Sequence, residues 1–158
     1  LGSYSAPVSH RLCAMMWGGE DLAADIGSLA NRDAAGVYTA PYQLARALCL
    51  AGAAAAGVGA VDSVYTDFRD AAGLAAEAGL GVRDGFSGKA AIHPDQIAPV
   101  NAAYQPSAEE LARAERIVAA FRQAEARGEA AVQVDGQMVD YPVAYRAQAL
   151  LDAARTRS

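Results

Sequence analysis

An unbroken apolar run, Leu12-Cys13-Ala14-Met15-Met16-Trp17, stops at Gly18-Gly19 and delivers two carboxylates, Glu20 and Asp21. A short run apolar on both faces fits a parallel strand covered on both sides. Leu22 to Gly27 begins a helical turn, and the pattern then repeats. Pro41, after Thr39-Ala40, opens an alanine-rich helix that runs to about Ala56. Gly57 to Asp62 reads as a second buried strand, again ending on a carboxylate. A helix is expected from roughly Phe68 to Ala78, ending near Gly79 and Gly81. Gly85 to Pro94 holds a third short strand with polar groups at its end, and Pro94-Asp95 opens a helix towards Tyr104. Strands alternating with helices of this length imply βα units around a parallel sheet, an α/β fold. Three such units are too few to close a barrel by themselves.

The last third changes character. Pro106 precedes a capping-box match, Ser107-Ala108-Glu109-Glu110. Leu111, Ala114, Ile117, Val118 and Phe121 follow at helical spacing, and Gly128 closes that helix. Asp135-Gly136 lies between two alternating runs, Ala131 to Val134 and Gln137 to Asp140, which is a strong hairpin signal. Alternation puts Met138 and Asp140 on one face of the second arm and Val139 on the other. Tyr141-Pro142 is expected to end the strand, with a last amphipathic helix from about Val143 to Ala154. The expected organisation is an α/β portion over residues 1–105 and a helix–hairpin–helix extension over residues 106–158.

Bulk properties narrow the function classes. The 158 residues carry a net charge of −5, and Lys89 is the sole lysine. With no basic run, nucleic acid and anionic membranes are disfavoured as partners. Cys13 and Cys49 sit in apolar sequence without metal-ligand spacing and read as buried, reduced thiols. The alanine-rich run from Ala45 to Ala60 is broken by Arg46 and three glycines, so no convincing membrane span appears. A cytoplasmic protein is the default expectation. The first residue is Leu1 rather than Met, and a piece of a longer chain is expected.

A carboxylate where a buried parallel strand gives way to a loop occupies the position α/β barrels use for chemistry, which singles out Asp21. Taken alone, Glu20 and Asp21 are equally explained as acids at a helix N-terminus. The wider pattern separates these readings. Gly18-Gly19-Glu20-Asp21-Leu22-Ala23-Ala24-Asp25-Ile26-Gly27 resembles the G-x-E-D-L-A-A-D-x-G signature of the citrate lyase β-subunit family, within the HpcH/HpaI aldolase and malyl-CoA lyase superfamily. Ala60 to Asp67, Gly85 to Pro94 (G-F-x-G-K-x-x-I-H-P) and Asp135 to Pro142 (D-G-x-M-[IV]-D-x-P) resemble that family's further blocks, in its order.

The resemblance implies the last three βα units of a TIM (β/α)8 barrel, followed by the C-terminal extension. It implies a Mg²⁺-dependent lyase that cleaves a C–C bond in a 3-hydroxyacyl-CoA of the citryl-CoA or malyl-CoA type. Hydrolysis of a malyl-CoA thioester, malate-synthase-type condensation at the same site, and a non-catalytic subunit that binds CoA ligands remain alternatives. Asp21 would be a metal ligand, since Mg²⁺ takes one or two hard carboxylates together with waters and substrate oxygens. Glu20 and Asp21 would line the substrate pocket, with the Glu20 side chain pointing elsewhere. Val61 and Asp62 correspond to a position that contacts the acyl-CoA; Asp62 is otherwise a turn cap. Asp140 would be the catalytic acid/base, entering the site of a neighbouring subunit in a homo-oligomer, a trimer or hexamer; otherwise it is a solvated strand residue. Structural roles are expected for Lys89, His93 and Arg46. The family's second metal-binding glutamate and its substrate-binding arginine belong to earlier strands and are not in this sequence.

Overall fold

The computed structural model describes residues 10–156. The architecture is mixed α/β, and its contacts divide it into two compact units, Leu1–Tyr104 and Gln105–Ser158.

Three parallel strands in the order β1-β2-β3 form the sheet of the first unit: β1 is Ala14–Met16, β2 Gly59–Asp62 and β3 Gly88–Lys89. Met15 pairs with Ala60, and Asp62 pairs with Lys89. Helices α1 (Gly19–Ile26) and α2 (Ala40–Ala56) follow β1, α3 (Ala71–Asp84) follows β2, and α4 (Ile97–Ala103) follows β3 after a 3-10 turn at Pro94–Gln96. The core gathers Trp17, Tyr42, Leu74, Ala78, Phe86, Val100 and Tyr104. No described helix is long and apolar enough to cross a membrane.

Several elements differ from the sequence expectation. The first strand is not covered on both sides: Ala14 is exposed and Met16 is 59% exposed, whereas Met15 packs on the core. It is an edge strand of the described sheet, with α2 against one of its faces. Cys13, just before it, is exposed, and only Cys49 is buried. Helix α3 starts later and runs further than its glycines imply. Asp70 caps it, accepting a hydrogen bond from Gly73 N at 2.9 Å, and Gly85 ends it in the left-handed region. Gly81 lies inside this helix because a Cβ there would come within 2.7 Å of the Tyr104 hydroxyl. The third strand shrinks to Gly88–Lys89.

In the second unit, α5 (Ala108–Ala126) opens with the complete capping box: Ser107 accepts from Glu110 N, and the Glu110 carboxylate accepts from Ser107 N. Strands β4 (Ala131–Val134) and β5 (Gln137–Asp140) form an antiparallel hairpin. Asp135 and Gly136 both take positive φ, as a two-residue turn of this kind requires. Helix α6 (Tyr141–Thr156) begins at Tyr141 rather than Val143. Pro142 therefore starts the helix instead of breaking the strand, since its fixed φ and missing N–H suit a first turn. Ile117, Val118, Phe121, Val139, Ala147 and Leu151 form a separate core.

Charges lie beneath the helices of the first unit. Asp62 is 2% exposed, and its carboxylate accepts from Arg46 Nε and Nη2 on α2 at 2.9–3.2 Å. Arg46 Nη1 continues to Asp84 at the end of α3, 2.6 Å away, and the guanidinium lies 4.6 Å from the Phe86 ring centroid. Lys89, with no exposed side-chain surface, pairs with Glu77 of α3 at 2.7 Å, and Glu77 also receives Arg32 at 2.7 Å. A buried charge is tolerated only with its partners in place.

Two outcomes follow for stability. Asp62→Ala leaves Arg46 half-paired and is expected to cost about 3–5 kcal/mol in chemical denaturation, with part recovered in the double variant Asp62→Leu, Arg46→Met. The hydrogen bond from Arg46 holds the Asp84 carboxyl below the ordinary carboxylate range, against the opposing pull of burial. A carboxylate with a depressed folded pKa stabilises fully above its unfolded value, about pH 4, and loses that contribution as pH falls through the folded value. Asp84→Asn is thus expected to show a shallower loss of unfolding midpoint below about pH 4 than the parent chain.

Candidate functional site

Because the strands are parallel, residues that follow them collect at one edge of the sheet. Trp17 to Asp21 follow β1, Asp62 and Ser63 end β2, and Ala90 to His93 follow β3. This is the edge where the sequence placed its candidate groups.

Asp21 is in the first turn of α1 and is exposed. Among the described residues its carboxylate makes no hydrogen bond and no ion pair. It lies back over Gly18, where any Cβ would run into Asp21 Oδ2. The N-cap residue Gly18 has no side chain to cap α1, and the first-turn acids sit at the positive end of the helix. Glu20 turns away, accepting from Asn31 Nδ2 at 2.6 Å.

The remaining candidates separate clearly. Val61 is half-buried on β2. Asp62, at the position expected to meet the acyl-CoA, has its carboxylate turned inward: Trp17 Nε1 donates to Oδ1 at 2.7 Å, Ser63 N does so at 3.0 Å, and Arg46 holds both oxygens. A carboxylate so fully engaged has little left to offer a ligand. Lys89 is structural, as expected, donating to Glu77 and to the Ser63 carbonyl at 2.7 Å each. His93 Nδ1 accepts from Asp95 N at 3.2 Å, and its ring stacks on Phe68 with centroids 4.7 Å apart.

Asp140 is in the second unit at the end of β5, half-buried. Its Oδ1 accepts from Val143 N at 3.2 Å, capping α6, and Oδ2 has no partner among the described residues. Exposed Met138, Tyr141 and Tyr145 surround it in sequence, and the two tyrosine rings stack.

Sequence reasoning passed over the residues that hold this edge together. Gly19 N donates to Ser63 Oγ at 3.0 Å, joining the loop after β1 to the end of β2. Gln96, 1% exposed, accepts from Ile92 N and donates to the Tyr65 carbonyl, both at 2.8 Å, joining the loops after β2 and β3. The one available signal was the double glycine, which marks a close approach without naming what approaches.

Among the described residues no cluster of three or more His, Cys, Asp or Glu surrounds a potential metal position. A hard divalent cation bound chiefly by water and substrate oxygens needs only one or two protein carboxylates. Asp21, exposed and unengaged, fits one such ligand. The large groove of the first unit, about 850 Å³ between α2, α3 and the loop at residues 32–38, does not include it. The groove's arginines are already paired, Arg32 with Glu77 and both Arg46 and Arg83 with Asp84.

Comparison with known proteins supplies the family. Residues 6–94 match the model of the HpcH/HpaI aldolase/citrate lyase family. Citramalyl-CoA lyase, mitochondrial, of Homo sapiens is 39% identical over 137 residues, which is 87% of this chain and 39% of the relative. The citrate lyase subunit beta-like protein of Mycobacterium tuberculosis is 43% identical over 140 residues, covering 89% of this chain and 50% of the relative. A (3S)-malyl-CoA thioesterase of Cereibacter sphaeroides is 42% identical over 130 residues, covering 82% and 44%. Among solved structures, the CitE protein of Mycobacterium tuberculosis in complex with magnesium, acetoacetate and coenzyme A superposes with a TM-score of 0.77 at 41% identity, covering 89% of this chain and 51% of that one. The chain thus spans about half or less of the length of these relatives. The sequence blocks, the parallel sheet and these matches agree: the chain belongs to the HpcH/HpaI aldolase/citrate lyase family.

Proposed function

We propose that this chain forms part of a Mg²⁺-dependent carbon–carbon lyase acting on a 3-hydroxyacyl-CoA of the citryl-CoA or malyl-CoA type. The observation that carries the reading is Asp21: of the acids gathered at the strand ends, it alone is both exposed and unengaged. The CitE structure described with magnesium and coenzyme A is 41% identical and aligns over most of this chain, which supports the same cofactor here. In this reading the three parallel strands are the last three of a TIM barrel, whose ligands bind at the C-terminal ends of the strands.

Bound Mg²⁺ would supply Lewis-acid polarisation of the substrate oxygens. Asp21 would hold the ion through a carboxylate oxygen and fix the keto-acid half against the edge. In the first turn of α1, Gly19 N is already taken by Ser63 Oγ, so the backbone amides that follow it, at Glu20 and Asp21, would be the ones open to substrate oxygens. Glu20, drawn to Asn31, adds no second negative charge at the ion. Asp140 would do the proton work at Oδ2 while Oδ1 stays on the α6 backbone. In the cleavage direction Oδ2 would take the proton of the substrate's 3-hydroxyl as the C–C bond breaks and return it to the α-carbon of the departing thioester enolate, and in condensation the same proton would run in reverse. We place Asp140 in the site of a neighbouring copy; the exposed Met138, Tyr141 and Tyr145 beside it offer an apolar surface to such a neighbour.

Hydrolysis of a malyl-CoA thioester is a second reading, favoured by the thioesterase relative at 42% identity. The complete protein, given Mg²⁺ and citryl-CoA, malyl-CoA or citramalyl-CoA in turn, separates the two: release of acetyl-CoA marks the lyase, and release of free CoA marks the thioesterase. Failure to release either would overturn both.

Asp21→Asn removes a formal charge from a hard-cation site and is expected to weaken Mg²⁺ binding by roughly tenfold or more in calorimetry, with activity recovering only partly at high Mg²⁺. Asp140→Ala and Asp21→Ala are each expected to be inactive. Co-assembled, with mixing verified by mass analysis, they should regain part of the activity, because mixed oligomers contain sites with both carboxylates. No recovery in verified mixtures would mean that Asp140 acts in its own subunit or not at all.

A further inference from the structure

The turn that presents Asp21 is not held by its own side chains. Gly18 is the N-cap of α1 and provides no side-chain acceptor, so the leading amide of the helix looks elsewhere. It finds Ser63: Gly19 N donates to Ser63 Oγ at 3.0 Å. Ser63 is 2% exposed, and its backbone is fixed on both sides. Its N–H donates to Asp62 Oδ1 at 3.0 Å, and its carbonyl accepts from Lys89 Nζ at 2.7 Å. A second tie, Trp17 Nε1 to Asp62 at 2.7 Å, secures the residues just before the turn.

The two glycines show how tightly this geometry is drawn. A Cβ on Gly19 would lie 3.3 Å from the Trp17 ring and 3.4 Å from Ser63 Oγ. A Cβ on Gly18 would collide with Asp21 Oδ2. The carboxylate therefore rests on the turn, and the path of the turn is set by residues from the neighbouring strand.

We propose that Ser63 is a positioning residue for Asp21, its hydroxyl fixing the first turn of α1 so that the carboxylate lies over Gly18 at the open edge. The proposal rests on the reading of Asp21 as a ligand of a divalent cation. Ser63 acts through Gly19 and touches no ligand itself. A ligand already held in place needs less ordering when the ion arrives, which raises affinity without adding a contact.

Mn²⁺, titrated by electron paramagnetic resonance on the full chain, is the probe, with hydrogen exchange at Gly19 as the structural readout. Ser63→Ala is expected to speed Gly19 exchange and to weaken Mn²⁺ binding roughly tenfold, the usual scale for losing a supporting partner of a metal ligand. Leu74→Ala, a core truncation on α3 that removes no hydrogen bond of the turn, should lower the unfolding midpoint yet leave Mn²⁺ affinity unchanged. Asp21→Asn should abolish most of the binding. Unchanged Mn²⁺ affinity in Ser63→Ala, with binding lost in Asp21→Asn, would overturn the positioning role and leave the metal assignment intact. An equal loss in Leu74→Ala would overturn it as a general effect of destabilisation. Unchanged binding in Asp21→Asn would remove the metal assignment and this proposal together. Should Ser63→Ala fail to fold, Ser63→Cys keeps the side chain's shape with a much weaker acceptor for Gly19 N: weakened Mn²⁺ binding supports the proposal, and unchanged binding overturns it.

Discussion

Burying the Asp62 carboxylate sets the terms for the first unit. An ionised group with 2% exposure must be met by hydrogen bonds and opposite charge, and here Arg46, Trp17 and the Ser63 amide meet it together. Each partner comes from a different element. Arg46 ties α2 to the sheet and, through Asp84, to the end of α3; Trp17 ties down the loop after β1. One acid thus fixes how two helices and a loop stand against β2. The buried Lys89, next to Asp62 in register, repeats the device with Glu77 and Arg32.

The acids of this scaffold differ in how far the chain satisfies them. Asp62, Glu20, Lys89 and His93 all find partners within the chain, and among the described residues Asp21 does not. A carboxylate held in position but without a partner is what a cation site requires in advance of its cation. Asp140 shows a related division, with one oxygen spent on the backbone of α6 and the other without a partner among the described residues.

Much of this was legible in the sequence, and the failures have physical causes. Apolar runs ending on polar residues located β1 and β2, Asp135-Gly136 located the hairpin, and Ser107 with Glu110 located the start of α5. Glycine misled in α3, because Gly79 and Gly81 look like helix ends. Sequence cannot show that Gly81 makes room for a tyrosine hydroxyl arriving from α4's end. Pro142 misled in the opposite sense, reading as a strand stop where it opens a helix. Asp62 and Asp21 look alike in sequence, each an acid just past an apolar run. What separates them is Arg46, an arginine 16 positions upstream of Asp62 that only folding brings alongside. Ser63 carried no signal of its own, since a serine after a strand has no distinguishing chemistry until an amide is placed against it.

Gln96 has a consequence for how the edge moves. Its side chain offers an acceptor to Ile92 N and a donor to the Tyr65 carbonyl, so it spans two loops with one rigid amide plane. Only a carboxamide presents both polarities at that separation; a glutamate there would set an oxygen against the Tyr65 carbonyl. Joined in this way, the loop after β2 cannot lift without dragging the loop after β3. Ser63 extends the linkage to the loop after β1. Ser63 and Gln96 thus join the three loops into one hydrogen-bonded rim along the edge.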